Sequence, residues 1–234
     1  MKRWKKTAAV LVCAGSGSRM GGSCRDKLLL DLAGKPVAAH ALMAYDQAET
    51  IQYLVVVTRE ELIPVYQQFQ ERYRIRKPLR VVAGGGTRSE SALRGVRAVP
   101  EEYNFIAIGD GARPLIASED INATVRAAWD QGAAALGCYL TDTVKKVKDQ
   151  KIVHTIPREQ LVAIQTPQVF PREEYLICAT AAQSLSELFT DDASIFEKFG
   201  KKIAFVEGNR NNIKITAPED IPILRAMLEG KKCE

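Results

Sequence analysis

Histidine is almost missing from this chain. His40 and His154 are its only two, and neither stands at metal-ligand spacing from an acidic or cysteine partner, so neither receives a metal-binding or catalytic role. Cysteine is nearly as scarce. Cys13, Cys24, Cys138, Cys178 and Cys233 are odd in number and contain no C-x-x-C pair, which argues against a disulfide framework and a zinc site and fits a reducing cytoplasm. No apolar run approaches the roughly 20 residues of a membrane helix, and no low-complexity tract points to disorder. The basic surplus is mild, a net charge of +5 over 234 residues, and it is spread along the chain rather than gathered in an arm. Nucleic acid is not indicated, and small acidic substrates explain the balance as well. The start, Met1-Lys2-Arg3-Trp4-Lys5-Lys6 before Thr7 to Cys13, has too short an apolar core and too bulky a Val12 for a signal peptide. It reads as a basic leader to a first strand.

What the chain does contain is a regular alternation. With 46% hydrophobic and 26% charged residues it has enough apolar sequence for one α/β domain spanning 1–234. β-branched runs predict strands at Ala8–Cys13, Tyr53–Val57, Leu79–Val82, Phe105–Gly109 and Ala134–Tyr139, with helices at Pro36–Gln47, Glu60–Tyr73, Arg88–Val99 and Glu119–Gln131. Strands apolar on both faces and separated by helices imply a mostly parallel central sheet covered on each side. Ligands then bind where the loops after Cys13, Val82 and Gly109 meet, at the carboxyl ends of the strands. Val144 to Thr155 reads as a hairpin, and 140–156 as an arm that a partner subunit would cover or that folds back on its own domain. Ile203–Val206 and Asn212–Ile215 read as short strands, and Pro218–Leu228 as a closing helix.

The segment Ala14-Gly15-Ser16-Gly17-Ser18-Arg19-Met20-Gly21-Gly22, followed by Lys27, leaves the first strand. It matches neither G-x-G-x-x-G nor the G-K-[ST] ending of a P-loop. Backbone N–H groups beside Arg19 and Lys27 suit a triphosphate whose charge must be neutralised as it reacts; an ordinary turn with solvated cations is the plainer alternative. Three further segments add chemistry: Gly84-Gly85-Gly86-Thr87-Arg88-Ser89-Glu90-Ser91, where backbone and Ser91 hydroxyl can read a base edge, Gly109-Asp110-Gly111-Ala112-Arg113-Pro114, and Asn212-Ile213-Lys214-Ile215-Thr216. Singly they admit structural readings: a helix-start ion pair for Arg88, a turn cap for Asp110, a snorkelling cation for Lys214. Together beside a phosphate loop they favour a nucleotide site.

With T-D-T-V-K-K, T-P-Q, T-D-D-A-S and N-I-K-I-T-A-P-E-D, these segments stand in the order seen in the 2-C-methyl-D-erythritol 4-phosphate cytidylyltransferase family, which the chain resembles from Ala8 to about Leu228. The resemblance implies a Rossmann-like nucleotidyltransferase fold, a homodimer joined by the hairpin arms, and CMP transfer from CTP with release of pyrophosphate and a need for Mg²⁺ or another divalent cation. Arg19, Lys27, Arg158 and Lys214 match the catalytic cations, the last two holding the acceptor phosphate. Ala14, Gly15, Gly17, Gly85, Gly86 and Ser91 match the nucleotide pocket. Asp110 and Gly111 lie near ribose and phosphates, with Asp110 a possible metal ligand; Arg113 assists with charge, and Thr143, Thr166 and Thr190 face the acceptor, Thr143 and Arg158 reaching it from the neighbouring arm. The sister activity on ribitol 5-phosphate and a non-catalytic nucleotide-binding role are the alternatives.

Three departures from the family pattern stand out. Val12-Cys13-Ala14-Gly15 replaces Pro-Ala-Ala-Gly, Gly109-Asp110-Gly111-Ala112-Arg113-Pro114 replaces His-Asp-Ala-Ala-Arg-Pro, and Ala83 to Thr87 lacks an acidic residue. The missing histidine is expected to remove a hydrogen-bonding group beside the nucleotide, and the missing acid leaves more base reading to the backbone. Cys13 is read as a packed thiol rather than a reactive one.

Overall fold

The computed structural model describes residues 5–15, 26–185, 187–217 and 219–230. Gly17 and Arg19 lie outside the described residues, as do Cys24 and Cys233.

In chain order, β1 (Thr7–Val12) leads to the small hairpin β2 (Asp31–Leu32) and β3 (Lys35–Pro36), then α1 (Val37–Gln47) and β4 (Tyr53–Thr58). α2 (Ile63–Gln67), α3 (Phe69–Arg72), β5 (Leu79–Ala83), α4 (Arg88–Arg97), β6 (Phe105–Asp110), α5 (Ser118–Gln131) and β7 (Ala134–Tyr139) follow. The second half holds β8 (Val144–Lys148), β9 (Lys151–Ile156), β10 (Val162–Pro171), α6 (Arg172–Ala182), α7 (Asp192–Lys198), β11 (Ala204–Glu207) and α8 (Asp220–Gly230). The main sheet has the order β11-β7-β10-β6-β1-β4-β5. β1 runs parallel to β4 and β6, β4 to β5, and β7 to β11, while β10 is antiparallel to both its neighbours.

Why β1 is an interior strand follows from its side chains. Successive residues of a strand point to opposite faces. Ala9, Leu11 and Cys13 join one buried layer with α1 and α5, and Ala8 and Val10 join the other with α4, α6 and α7. Each of its large apolar side chains contributes roughly 1.5–3 kcal/mol by leaving water. α4 comes unusually close to the sheet at Gly95, where an added Cβ would run into Val10 and Val57.

Four expectations change. Asn212–Ile215 is not a strand: β11 is the edge, and 212–215 crosses the carboxyl ends as irregular chain, tied by Ile215 N to the Ala112 carbonyl at 2.9 Å. The helix expected at Glu60–Tyr73 is a 3₁₀ turn followed by α2 and α3, with Pro64 in the opening turn of α2, the place where a missing N–H costs least. The last helix starts at Asp220, whose carboxylate accepts from the N–H groups of Thr216 and Ala217 at 2.7 and 2.9 Å. β10, α6 and α7 are additional elements, and β10 is irregular between Ile164 and Gln168.

The hairpin is present. Among the described residues β8 and β9 pair only with each other, and the turn residues Asp149 and Gln150 both have positive φ, as a two-residue type I′ hairpin turn requires. Among the described residues no helix is long and apolar enough to cross a membrane.

Candidate active site

A cavity of about 670 Å³ opens where β1, β4, β5 and β6 end. The expected loops meet there: Ala14 and Gly15 after β1, Gly85 and Gly86 after β5, Asp110 and Ala112 at the end of β6, with Lys27 and Lys214 facing them. The floor is set by close packing of two turns. A Cβ at Gly84 would fall 2.5 Å from the Ala14 Cβ, and one at Gly85 would fall 2.5 Å from the Glu90 Cβ. Only glycine lets the backbones approach this far.

α4 begins inside this turn. Thr87 caps it by accepting from Glu90 N at 3.1 Å. Ser91 is buried, and its hydroxyl is engaged within the turn, donating to the Thr87 carbonyl at 2.8 Å and accepting from Gly85 N at 3.0 Å. Gly86 N donates to Glu90 Oε2 at 2.8 Å. Ser91 therefore shapes the pocket, and the turn's N–H groups brace the loop.

The charged centre is Asp110. Its Oδ2 lies 2.8 Å from Lys214 Nζ and 3.7 Å from Arg113 Nε, and its Oδ1 lies 3.4 Å from Arg88 Nη2. Its backbone N–H donates to Thr166 Oγ1 at 3.1 Å. Burial pushes the Asp110 carboxyl up, but Arg88, Lys214 and Arg113 outweigh it and hold it below the usual carboxylate range. Arg113 also donates to the Asn212 carbonyl at 2.6 Å, and Asn212 Nδ2 donates to Gln165 Oε1 at 2.9 Å. These bonds fix the irregular segment that carries Lys214. Lys27 Nζ donates to the Ile215 carbonyl of the same segment at 3.1 Å, so both lysines are aimed by one stretch of chain.

Ala14, Gly15, Lys27, Gly85, Gly86, Ser91, Asp110 and Lys214 thus come together. Arg113, Thr166 and Gly111 support Asp110 from behind or alongside. Thr143 and Arg158 sit at the base of the hairpin, both exposed, with Arg158 bonded to the Thr141 carbonyl. Thr190 is exposed at the start of the α7 turn. None of these last three lines the cavity of its own chain.

A sequence profile of 2-C-methyl-D-erythritol 4-phosphate cytidylyltransferase matches residues 7–230. The chain belongs to this family. A relative of that name from Caldanaerobacter subterraneus is 40% identical over 225 residues, covering 94% of this chain and 98% of its own. Another from Halalkalibacterium halodurans is 36% identical, covering 96% and 98%. The crystal structure of 4-diphosphocytidyl-2C-methyl-D-erythritol synthase from Anaerococcus prevotii superposes with a TM-score of 0.86 at 28% identity over 96% of each chain.

The departures from the cytidylyltransferase pattern have physical counterparts. A Cβ at Gly111 would collide with Cys13 Sγ, so the larger residue at 13 takes the space released at 111. A Cβ at Gly109 would collide with the Tyr45 hydroxyl, and Tyr45 is a buried core residue of α1. Position 109 therefore faces the core, which corrects the expectation that a side chain there would lie beside the nucleotide. Cys13 is fully packed, with burial pushing its thiol up to about 12.

Sequence reasoning missed Arg59, Tyr175 and Asp192, and read Arg88 as a helix-start ion pair without its partners. Arg59 lines the cavity and pairs with Asp26 at 3.4 Å; its position directly after β4, at a strand's carboxyl end, was the available signal. Arg88 lines the cavity too and lies 2.7 Å from the fully buried Asp192, 104 positions away, for which the sequence offers no local sign.

Proposed function

We propose that this chain transfers CMP from CTP to 2-C-methyl-D-erythritol 4-phosphate, forming 4-diphosphocytidyl-2-C-methyl-D-erythritol and pyrophosphate. The observation that carries the reading is the pairing of Lys27 and Lys214 across one cavity, beside a buried carboxylate and a glycine turn of nucleotide-pocket type. A binding protein has no need of cations for two reacting phosphates.

The acceptor's phosphate oxygen attacks the α-phosphorus of CTP, its electron pair forming the new P–O bond while the bond to the β-phosphate oxygen breaks and pyrophosphate leaves. Charge grows on the α-phosphate oxygens and the departing group, so fixed cations lower the barrier. Lys27, together with Arg19, stabilises that charge; Lys214, together with Arg158, holds the acceptor phosphate in line. A phosphate monoester is already anionic near neutral pH, so no strong general base is required. Asp110 orients Lys214, Thr166 fixes the Asp110 backbone, and Thr143 and Thr190 recognise acceptor hydroxyls. Gly85, Gly86 and Ser91 shape the cytosine pocket, and Arg113 completes the charge balance.

A divalent cation is part of this reading. Among the described residues no three acidic, cysteine or histidine side chains converge, and Asp110 is the carboxylate lining the cavity. That donor set fits an ion taking most of its ligands from triphosphate oxygens and one from Asp110, where it would neutralise the leaving group. The arms join two chains, so Thr143 and Arg158 serve the neighbour's cavity, and the protein works in the cytoplasm.

Pyrophosphate release with CTP and Mg²⁺ is the test, with 2-C-methyl-D-erythritol 4-phosphate and ribitol 5-phosphate in separate reactions. Release with the first acceptor is expected. Release with ribitol 5-phosphate alone, or with neither, refutes the assignment.

A further inference from the structure

Asp192 is a charge in an expensive place. It is fully buried at the first position of α7, yet that helix already has its cap: Asp191 accepts from Ser194 N at 3.0 Å, and Ser194 reciprocates. A buried carboxylate costs several kcal/mol unless paired with good geometry, so capping does not explain it. Its oxygens are both committed. Tyr175 on α6 donates to Oδ1 at 2.7 Å, and Arg88 on α4 donates to Oδ2 at 2.7 Å. Gln168 of β10 holds the turn around it, donating to Asp191 Oδ2 and accepting from Ala193 N, both at 2.8 Å. Three elements thus immobilise one carboxylate that points at one guanidinium. The other arm of that guanidinium reaches Asp110, whose second oxygen carries Lys214.

We propose that Asp192 is a positioning residue that clamps Arg88 onto Asp110, so that Asp110, beyond the one ligand it would give the divalent ion, divides its charge among Arg88, Arg113 and Lys214, and Lys214 keeps enough of its own to hold the acceptor phosphate. If Arg88 swings away, the carboxylate falls more heavily on Lys214, 2.8 Å distant, and screens it from an incoming anion. The inference rests on the reading of Lys214 as the acceptor-phosphate cation.

The experiment compares wild-type protein with Asp192→Asn, Arg88→Met, the double variant and Tyr175→Phe, measuring kinetics for both substrates, CTP affinity by calorimetry, and melting temperature. Asp192→Asn is expected to raise the acceptor KM and lower kcat/KM on the order of tenfold to a hundredfold, with CTP affinity held. The double variant should be no worse than Arg88→Met, because both changes act through one guanidinium. It should also melt above Arg88→Met, which leaves a buried carboxylate unpaired. Losses that multiply, or CTP affinity and acceptor KM worsening together, would show a general structural role and overturn the proposal. Should Asp192→Asn not fold, Tyr175→Phe keeps the carboxylate and loses one bond: a rise in acceptor KM alone supports the proposal, and an unchanged KM refutes it. Wild-type protein that releases no pyrophosphate fails the functional reading; active wild type with an unaffected Asp192→Asn fails this inference alone.

Discussion

Lys27 shows how little freedom is left to an ammonium at this cavity. Its bond to the Ile215 carbonyl points it into the cavity from the segment that also carries Lys214. If it acts on charge that develops in the transition state, Lys27→Ala should lower kcat on the order of 100- to 1,000-fold while CTP affinity changes far less. Steady-state kinetics beside calorimetric CTP titration check this. Equal losses in turnover and affinity would mean that the lysine merely binds. Cys13 tests the opposite property, inertness. Burial raises its thiol from 9.0 to about 12, with the negative charges of Asp26 and Asp110 adding to the effect. A thiol whose folded pKa is raised gives stability that is complete below pH 9 and is lost as pH climbs toward 12. Native protein at pH 8 should leave Cys13 unalkylated, as read by site-resolved mass spectrometry, while unfolded protein is labelled; rapid labelling in the native state would contradict the packing.

At the level of elements, the ends of β1 and β6 are fitted to one another through Cys13 and Gly111. Gly111 does not occupy the left-handed region, so the obstacle to a side chain there is volume alone. Gly111→Ala is expected to cost about 1–3 kcal/mol by overpacking, and Cys13→Ala in the same chain should recover most of it, since contacting residues couple. Urea unfolding of the two single variants and the double variant measures the coupling; additive effects would rule out the fit. The same elements show what could be read in advance. β1, β4, β5, β6 and β7 are runs of β-branched and small apolar residues, so their strand nature and the position of Asp110 were legible. β10 was not, because Gln165, Thr166 and Gln168 are polar yet buried, their groups satisfied by Asn209, Asn212, Asp110, Asp191 and Ala193 from distant parts of the chain. Lys214 was legible as a lone cation among apolar neighbours, but not its element, since I-K-I alternation has the period of a strand whether or not a strand lies beside it. The partners of Arg88 were invisible, because ion pairs across 22 and 104 positions leave no periodic trace.

For the whole molecule, the question is what the hairpin is for. Val144–Ile156 and Val147–Ile152 are cross-strand pairs on either side of a register shift at Lys146 and Val147, and the arm leaves Val147, Ile152 and Val153 58%, 68% and 56% exposed. Beside its base, Arg158 and Thr143 lie exposed and away from their own chain's cavity. Exposed apolar surface on a two-stranded arm is stable when a second copy covers it, and a twofold exchange of arms would bring those two residues to the other chain's Lys27 and Lys214. Mixing two inactive proteins tests this. On the proposed arm exchange, Lys27→Ala would damage the cavity that a chain builds for itself, and Arg158→Ala would damage the one it completes for its neighbour. Each alone should be nearly silent. After unfolding and refolding together in equal amounts, half the dimers are mixed and each has one intact site, so about a quarter of wild-type activity should return. If both residues serve the same chain's site, every chain in the mixture carries a damaged site and nothing returns.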